Sequence, residues 1–127
     1  MSAPNIKQLI AILAYSKGLI PSDTVRNLLI SPPSNNEMIK VNNIVVSNLS
    51  SNPVAVTIEG KLYDGTYIPL IYQLVIPVQA TLLAIDRTTA PYLFGAGIND
   101  VFNSIYVSSG SANDIAFSCS YDTLTGN

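Results

Sequence analysis

The sequence predicts an all-β fold, a single antiparallel β-sandwich or jelly roll of about seven or eight strands with an N-terminal extended arm or first strand. Three observations predict it. From Ile39 to Tyr121, short runs of Val, Ile, Leu and Tyr alternate with polar residues, which is the two-residue period of half-buried strands. Clusters of Pro, Asn, Gly and Ser interrupt these runs at roughly ten-residue spacing, as turns do in such folds. The 127 residues suit one domain and one core, and no internal repeat is visible. The chain therefore divides into residues 1–20, the arm or first strand, and residues 21–127, the sandwich.

The N-terminal segment is ambiguous by period. Ile6, Leu9, Ile10 and Leu13 fit helical spacing, whereas Ile10, Ile12 and Ala14 fit a strand. Extended structure is favoured because every later element is strand-like, and Gly18 and Pro21 end the segment either way. Its apolar side chains are too many for a solvated tail. Fully extended, its twenty residues would reach on the order of 65 Å, past the edge of a small sandwich. It is therefore expected to dock as a strand or arm, on its own sheet or on a neighbour.

Thr24 to Ser31 is the next strand candidate, closed by Pro32-Pro33-Ser34-Asn35-Asn36, where neither proline can donate to a ladder. Met38 to Asn48 follows. Ile39 and Val41 are out of phase with Ile44 and Val46, which predicts a β-bulge at Asn42-Asn43 or burial of both faces in the second half. After the Leu49 to Pro53 turn, Val54, Val56 and Ile58 alternate with Ala55, Thr57 and Glu59 in a strand running on to Tyr63. Asp64-Gly65 predicts a type I′ hairpin. Tyr67 to Val78 is expected to place Leu70, Tyr72, Leu74 and Ile76 on one face, with Pro69 and Pro77 marking ends or an edge. Gln79 to Arg87 sets Leu83 and Ile85 opposite Leu82 and Ala84. Thr88 to Asn99 reads as irregular, with Tyr92, Leu93 and Phe94 as a plug beneath the sandwich. Val101 to Ser108 and Ile115 to Thr123 are the last two strands.

Composition excludes much chemistry. There is no histidine and one cysteine, with six basic and eight acidic residues spread along the chain. Acid–base catalysis needs groups tuned in pairs within a cleft, and no such constellation is legible, so no enzyme and no cofactor are expected. Zinc cannot be held by one Cys and no His. The Asn99-Asp100 and Asn113-Asp114 pairs are weak calcium candidates. Asp64, Asp86, Asp100, Asp114 and Asp122 fall at turns or strand ends, where Asp bonds nearby backbone N–H groups. Asp86-Arg87 beside Thr88-Thr89 reads as a local ion pair or a loop-ordering bond. Cys119 alternates with Phe117 and Tyr121 and reads as a small buried hydrophobe. Without clustered Lys and Arg, nucleic-acid binding is not expected. No run is long enough to span a bilayer, and no secretory signal is legible, so Asn48-Leu49-Ser50 is not read as a glycosylation acceptor.

With 48% hydrophobic residues and so few charges, apolar surface is expected to remain for partners. The candidate contact residues are Ile6, Leu9, Ile10, Ile12 and Leu13 in the N-terminal segment, with Tyr63, Tyr67 and Tyr92. Tyr63 and Tyr67 flank the Asp64-Gly65 turn as a cross-strand pair or part of a contact patch. A glycan-binding module would need these tyrosines as a platform, and the absence of tryptophan weighs against it.

Lys40 to Asn48, Val54 to Ile58, Ile76 to Asp86, Pro91-Tyr92-Leu93 and Asn113 to Tyr121, taken as a series, resemble a family of small virion structural proteins of tailed phages, abundant in phages of cyanobacteria. The resemblance covers about two thirds of the chain. It implies a single β-sandwich that decorates or stabilises the particle and leaves capsid surface, neck and tail open; low charge, excess apolar surface and a rigid fold without a site favour a capsid decoration (cement) protein. The expected partners are the major capsid protein or other virion proteins and further copies of itself, for a decoration protein as a trimer around local three-fold positions. The implied location is the virion, after synthesis in the host cytoplasm. A neck or tail accessory protein is the alternative. Relatives carry an acidic Glu-Glu-Gly-Asp type segment after the Tyr-Leu pair. This chain reads Phe94-Gly95-Ala96-Gly97-Ile98-Asn99-Asp100 there, so no contact of that loop is carried over.

Overall fold

A computed structural model describes residues 11–95 and 100–126. These described residues form nine strands: β1 (Ala11–Leu19), β2 (Asn27–Ile30), β3 (Glu37–Asn48), β4 (Val54–Leu62), β5 (Tyr67–Ile76), β6 (Thr81–Ile85), β7 (Tyr92–Phe94), β8 (Phe102–Ser109) and β9 (Ile115–Thr125). One sheet runs β1-β9-β3-β6, with β7 also paired to β3, and the other runs β2-β8-β4-β5. Every pairing is antiparallel. β7 pairs with Met38–Lys40 and β6 with Ile44–Ser47, so the two share one edge of β3. The nine segments thus fill eight strand positions, four per sheet.

The core lies between the sheets. One sheet contributes Ile39, Val41, Ile44, Val46, Ile85, Leu93, Ile115, Phe117 and Cys119, and the other Leu29, Ile30, Val54, Val56, Ile58, Ile76, Ile105 and Val107. Each fully buried branched side chain contributes about 1.5–3 kcal/mol. The predicted bulge in β3 is present, since the register with β9 shifts between Val41 and Asn43. It brings both Ile39/Val41 and Ile44/Val46 inward from opposite parities.

Four expectations need correction. The β4–β5 hairpin is not type I′. Among the described residues of that turn only Gly65 has positive φ, at 100°. Leu62 pairs with Thr66 across a three-residue loop, the type with a left-handed third residue. The Asp64 carboxylate accepts the Thr66 N–H at 2.9 Å, which fixes it. In β5, Tyr72 does not share a face with Leu70, Leu74 and Ile76. Gln73 adopts φ 52° and the register with β4 shifts twice, a bulge that turns Tyr72 outward while Leu70 and Leu74 pack on the core. In β6, Leu82, Ala84 and Ile85 meet the core and Leu83 faces solvent, because the pairing with β3 also slips, between Ile44 and Val45. Tyr92–Phe94 is a short strand of the sheet, not a plug beneath it. Only Leu93 is fully buried there.

Residues 11–19 take the extended form over the helical one. Among the described residues β1 is the outermost strand of its sheet and pairs only with β9, from Ala11↔Thr125 to Leu19↔Phe117. Ile6, Leu9 and Ile10 lie outside the described residues.

Candidate functional site

Two surfaces stand apart from an ordinary solvated sheet face. The first is β1. Consecutive Ile12 and Leu13 are 59% and 53% exposed. Neighbouring residues of a strand point to opposite faces, so neither face of β1 is covered at this end, whereas Leu19 at the other end packs on the core. Tyr15 stacks on Tyr121 at 5.5 Å between ring centroids and anchors the strand midway. The outer backbone edge of β1 is unpaired among the described residues, a template for a further strand.

The second surface is the outer face of β2-β8-β4-β5. Glu59 points outward from β4 yet is only 8% exposed. Arg26, just before β2, covers it through a bidentate pair, Nε to Oε1 at 2.7 Å and Nη2 to Oε2 at 3.1 Å. The Arg26 guanidinium also lies 3.9 Å from the centre of the Tyr67 ring. Tyr67 meets Tyr106 edge-on at 5.3 Å, and Lys61 lies over both rings at 5.6 and 5.7 Å. The hydrogen bond to Glu59, opposed by partial desolvation and helped by its charge, raises the Arg26 pKa above its ordinary value. Beside the pair is a shallow depression of about 340 Å³ lined by Thr24–Arg26, Thr57, Glu59, Tyr72, Gln73 and Ser108. Thr57 Oγ1 accepts both the Gln73 backbone N–H, at 3.2 Å, and its side-chain amide, at 3.4 Å.

The sequence-predicted contact residues do not gather in one place. Ile12 and Leu13 are on β1 and Tyr92 is exposed on β7 of the same sheet. Tyr63 and Tyr67 sit at the β4–β5 end of the other sheet. They are not a cross-strand pair, because the three-residue loop sets Tyr67 opposite Lys61. Tyr67 is taken up by Arg26 and Tyr106, and Tyr63 remains exposed. Sequence reading missed the Arg26–Glu59 pair, whose members are 33 positions apart. The one available signal was the charged residue in the otherwise apolar and small Val54–Gly60 run.

The remaining polar motifs serve the fold. Asp86 Oδ1 accepts the Thr88 and Thr89 N–H groups at 2.9 and 3.1 Å, so it orders its loop. These bonds, the Thr88 hydroxyl first, lower the Asp86 pKa. Asn48 is buried and bonded within the protein, which closes it to glycosylation. No cluster of three potential metal ligands occurs among the described residues, and Asn99 lies outside them. No helix among the described residues is long and apolar enough to cross a membrane.

The sequence matches no family model and no curated protein. Among solved structures, one chain from an archaeal virus, described under the words triple jelly roll fold and turret assembly, superposes with TM-score 0.51 at 12% identity over 93% of this chain. The fold is a jelly roll. This chain spans 30% of that viral chain, so the likeness is to one part of it. A subunit of Bacillus endospore appendages, described as disulfide-linked pili, superposes at TM-score 0.51 and 9% identity over 100% of this chain and 98% of its own. The capsid of Helicobacter pylori bacteriophage KHP30 has TM-score 0.43 at 12% identity, over 94% of this chain and 91% of its own. At 9% and 12% identity the first two likenesses show the architecture alone.

Proposed function

We propose that this protein is a structural component of a phage virion, a capsid decoration protein that binds the lattice of the major capsid protein and its own copies in trimers. The observation that carries the proposal is β1: an open edge strand with Ile12 and Leu13 uncovered on its two faces. An edge of this kind gains both backbone pairing and apolar burial when a neighbour docks. The jelly-roll fold and the family resemblance of the sequence support the reading. Residues 1–20 supply the contact, through Ile6, Leu9, Ile10, Ile12 and Leu13, with exposed Tyr63 and Tyr92 and half-buried Tyr67 as secondary contact points. Multivalent docking lets small interfaces sum, because each further contact is intramolecular. A disulfide-linked polymer does not suit this chain, whose one cysteine is buried in the core.

Cryo-electron microscopy of the intact particle tests the reading. Density for this jelly roll repeated over the capsid at local three-fold positions is the expected result. A few copies at the neck or tail would replace decoration with the accessory role, and absence from the particle would end the virion assignment.

A further inference from the structure

The polar depression on the outer face of the β2-β8-β4-β5 sheet has three properties that a folding role does not require. Its charge is internally neutralised: both Glu59 oxygens are held by Arg26. A free anion or cation therefore finds no unpaired opposite charge in the lining, while a neutral polar ligand meets an oriented guanidinium edge. Donors and acceptors are present in both senses, in the Gln73 amide and the Ser108 hydroxyl. Finally, Tyr72 stands at the rim with 72% of its surface exposed. Gln73 and Tyr72 owe their positions to a bulge in which Gln73, a non-glycine residue, holds φ 52°. Such a conformation is strained for a residue with a side chain and persists where something else over-determines it. Bulges of this kind re-aim side chains next to sites.

From this geometry we infer a binding site for a neutral saccharide, about one hexose in size, on this face. The sugar hydroxyls bond to Gln73, Ser108 and the free edge of Arg26, while Thr57 holds Gln73 from beneath, and the apolar face of the ring lies on Tyr72, whose π face attracts polarised C–H groups. A preformed site of this kind, open to solvent, gives millimolar affinity per sugar unit. Repetition of the protein on a surface would multiply it, although the site itself does not depend on assembly.

Nuclear magnetic resonance on the isotopically labelled protein tests the inference, with the methyl α-glycosides of glucose, galactose and mannose and with N-acetylglucosamine as probes. Saturable shifts at the Gln73 amides, the Arg26 Nε–H and Tyr72 are expected for at least one of them. Tyr72→Ala should weaken binding by about tenfold. Gln73→Gly is the sharper variant. Glycine accepts the positive φ without strain, so the fold should be kept or strengthened while binding falls by a similar factor. If none of the four sugars moves these resonances, or if Gln73→Gly binds as the parent does, there is no saccharide site here.

Discussion

Asn48 shows how one side chain can close several loose ends. Its amide donates to the carbonyls of Asn52 and Ile76 at 2.7 and 3.1 Å, and its Oδ1 accepts the Ser50 N–H and hydroxyl at 2.9 and 2.8 Å. All of its bonding capacity is used inside the protein. Asn48→Ala leaves the buried Ile76 carbonyl without this partner and loosens the Leu49–Pro53 turn. The expected loss is about 2–3 kcal/mol in urea unfolding. Asn52→Ala, which keeps the backbone carbonyl that Asn48 uses, should cost far less. Cys119 is a second residue with a definite outcome. Burial, partly offset by Lys17, raises its pKa, so the folded state favours the thiol. Its contribution to stability is complete below the unfolded value of about 8.5 and is lost as pH rises through the folded value. At neutral pH the native thiol should react with a disulfide reagent at least about tenfold more slowly than after unfolding in urea.

Among the elements, β1 has the clearest consequence. Its residues begin at Ala11 and pair over nine positions with β9. Deleting residues 1–10 leaves every described strand in place, and the thermal midpoint should move little. Deleting residues 1–20 removes β1 and bares the β9 edge, with an expected loss of about 2 kcal/mol or more, roughly 8 °C in a melting scan. A full-length-like midpoint for the second variant would contradict the pairing. The same scale shows what the sequence could convey. The bulge in β3 was legible because apolar residues on both sides of Asn42-Asn43 change parity. The one in β5 was not, because Leu70, Tyr72, Leu74 and Ile76 alternate without a break, and Gln73 carries no sign of a positive φ. The register slip against β4 and the Gln73 contact with Thr57 across the sheet reveal it. The Arg26–Glu59 pair and its depression were hidden for a related reason: strand order, not spacing, brings the segment before β2 over β4.

At the level of the whole molecule, the stabilising contacts are distant in sequence. The first strand pairs with the last, and β3 with β9. Loop closure precedes the gain from such pairings, so folding should be slow for the size of the domain. Stopped-flow refolding by tyrosine fluorescence should give a time constant in the range of milliseconds to seconds. A microsecond phase carrying the full amplitude would show that local hairpins, not the sheet ladders, dominate the transition state.

The pairing of Ala11 with Thr125 also makes the protein easy to rewire. The backbone enters the described fold and leaves it at one corner. A short Gly-Ser bridge could join those points and new ends could be opened at Asp64-Gly65, an exposed loop tip, giving a circular permutant with the same ladders. By the same geometry, cargo joined directly at Ala11 or Thr125 would emerge on one side of the described fold and leave the opposite end of the sandwich unencumbered.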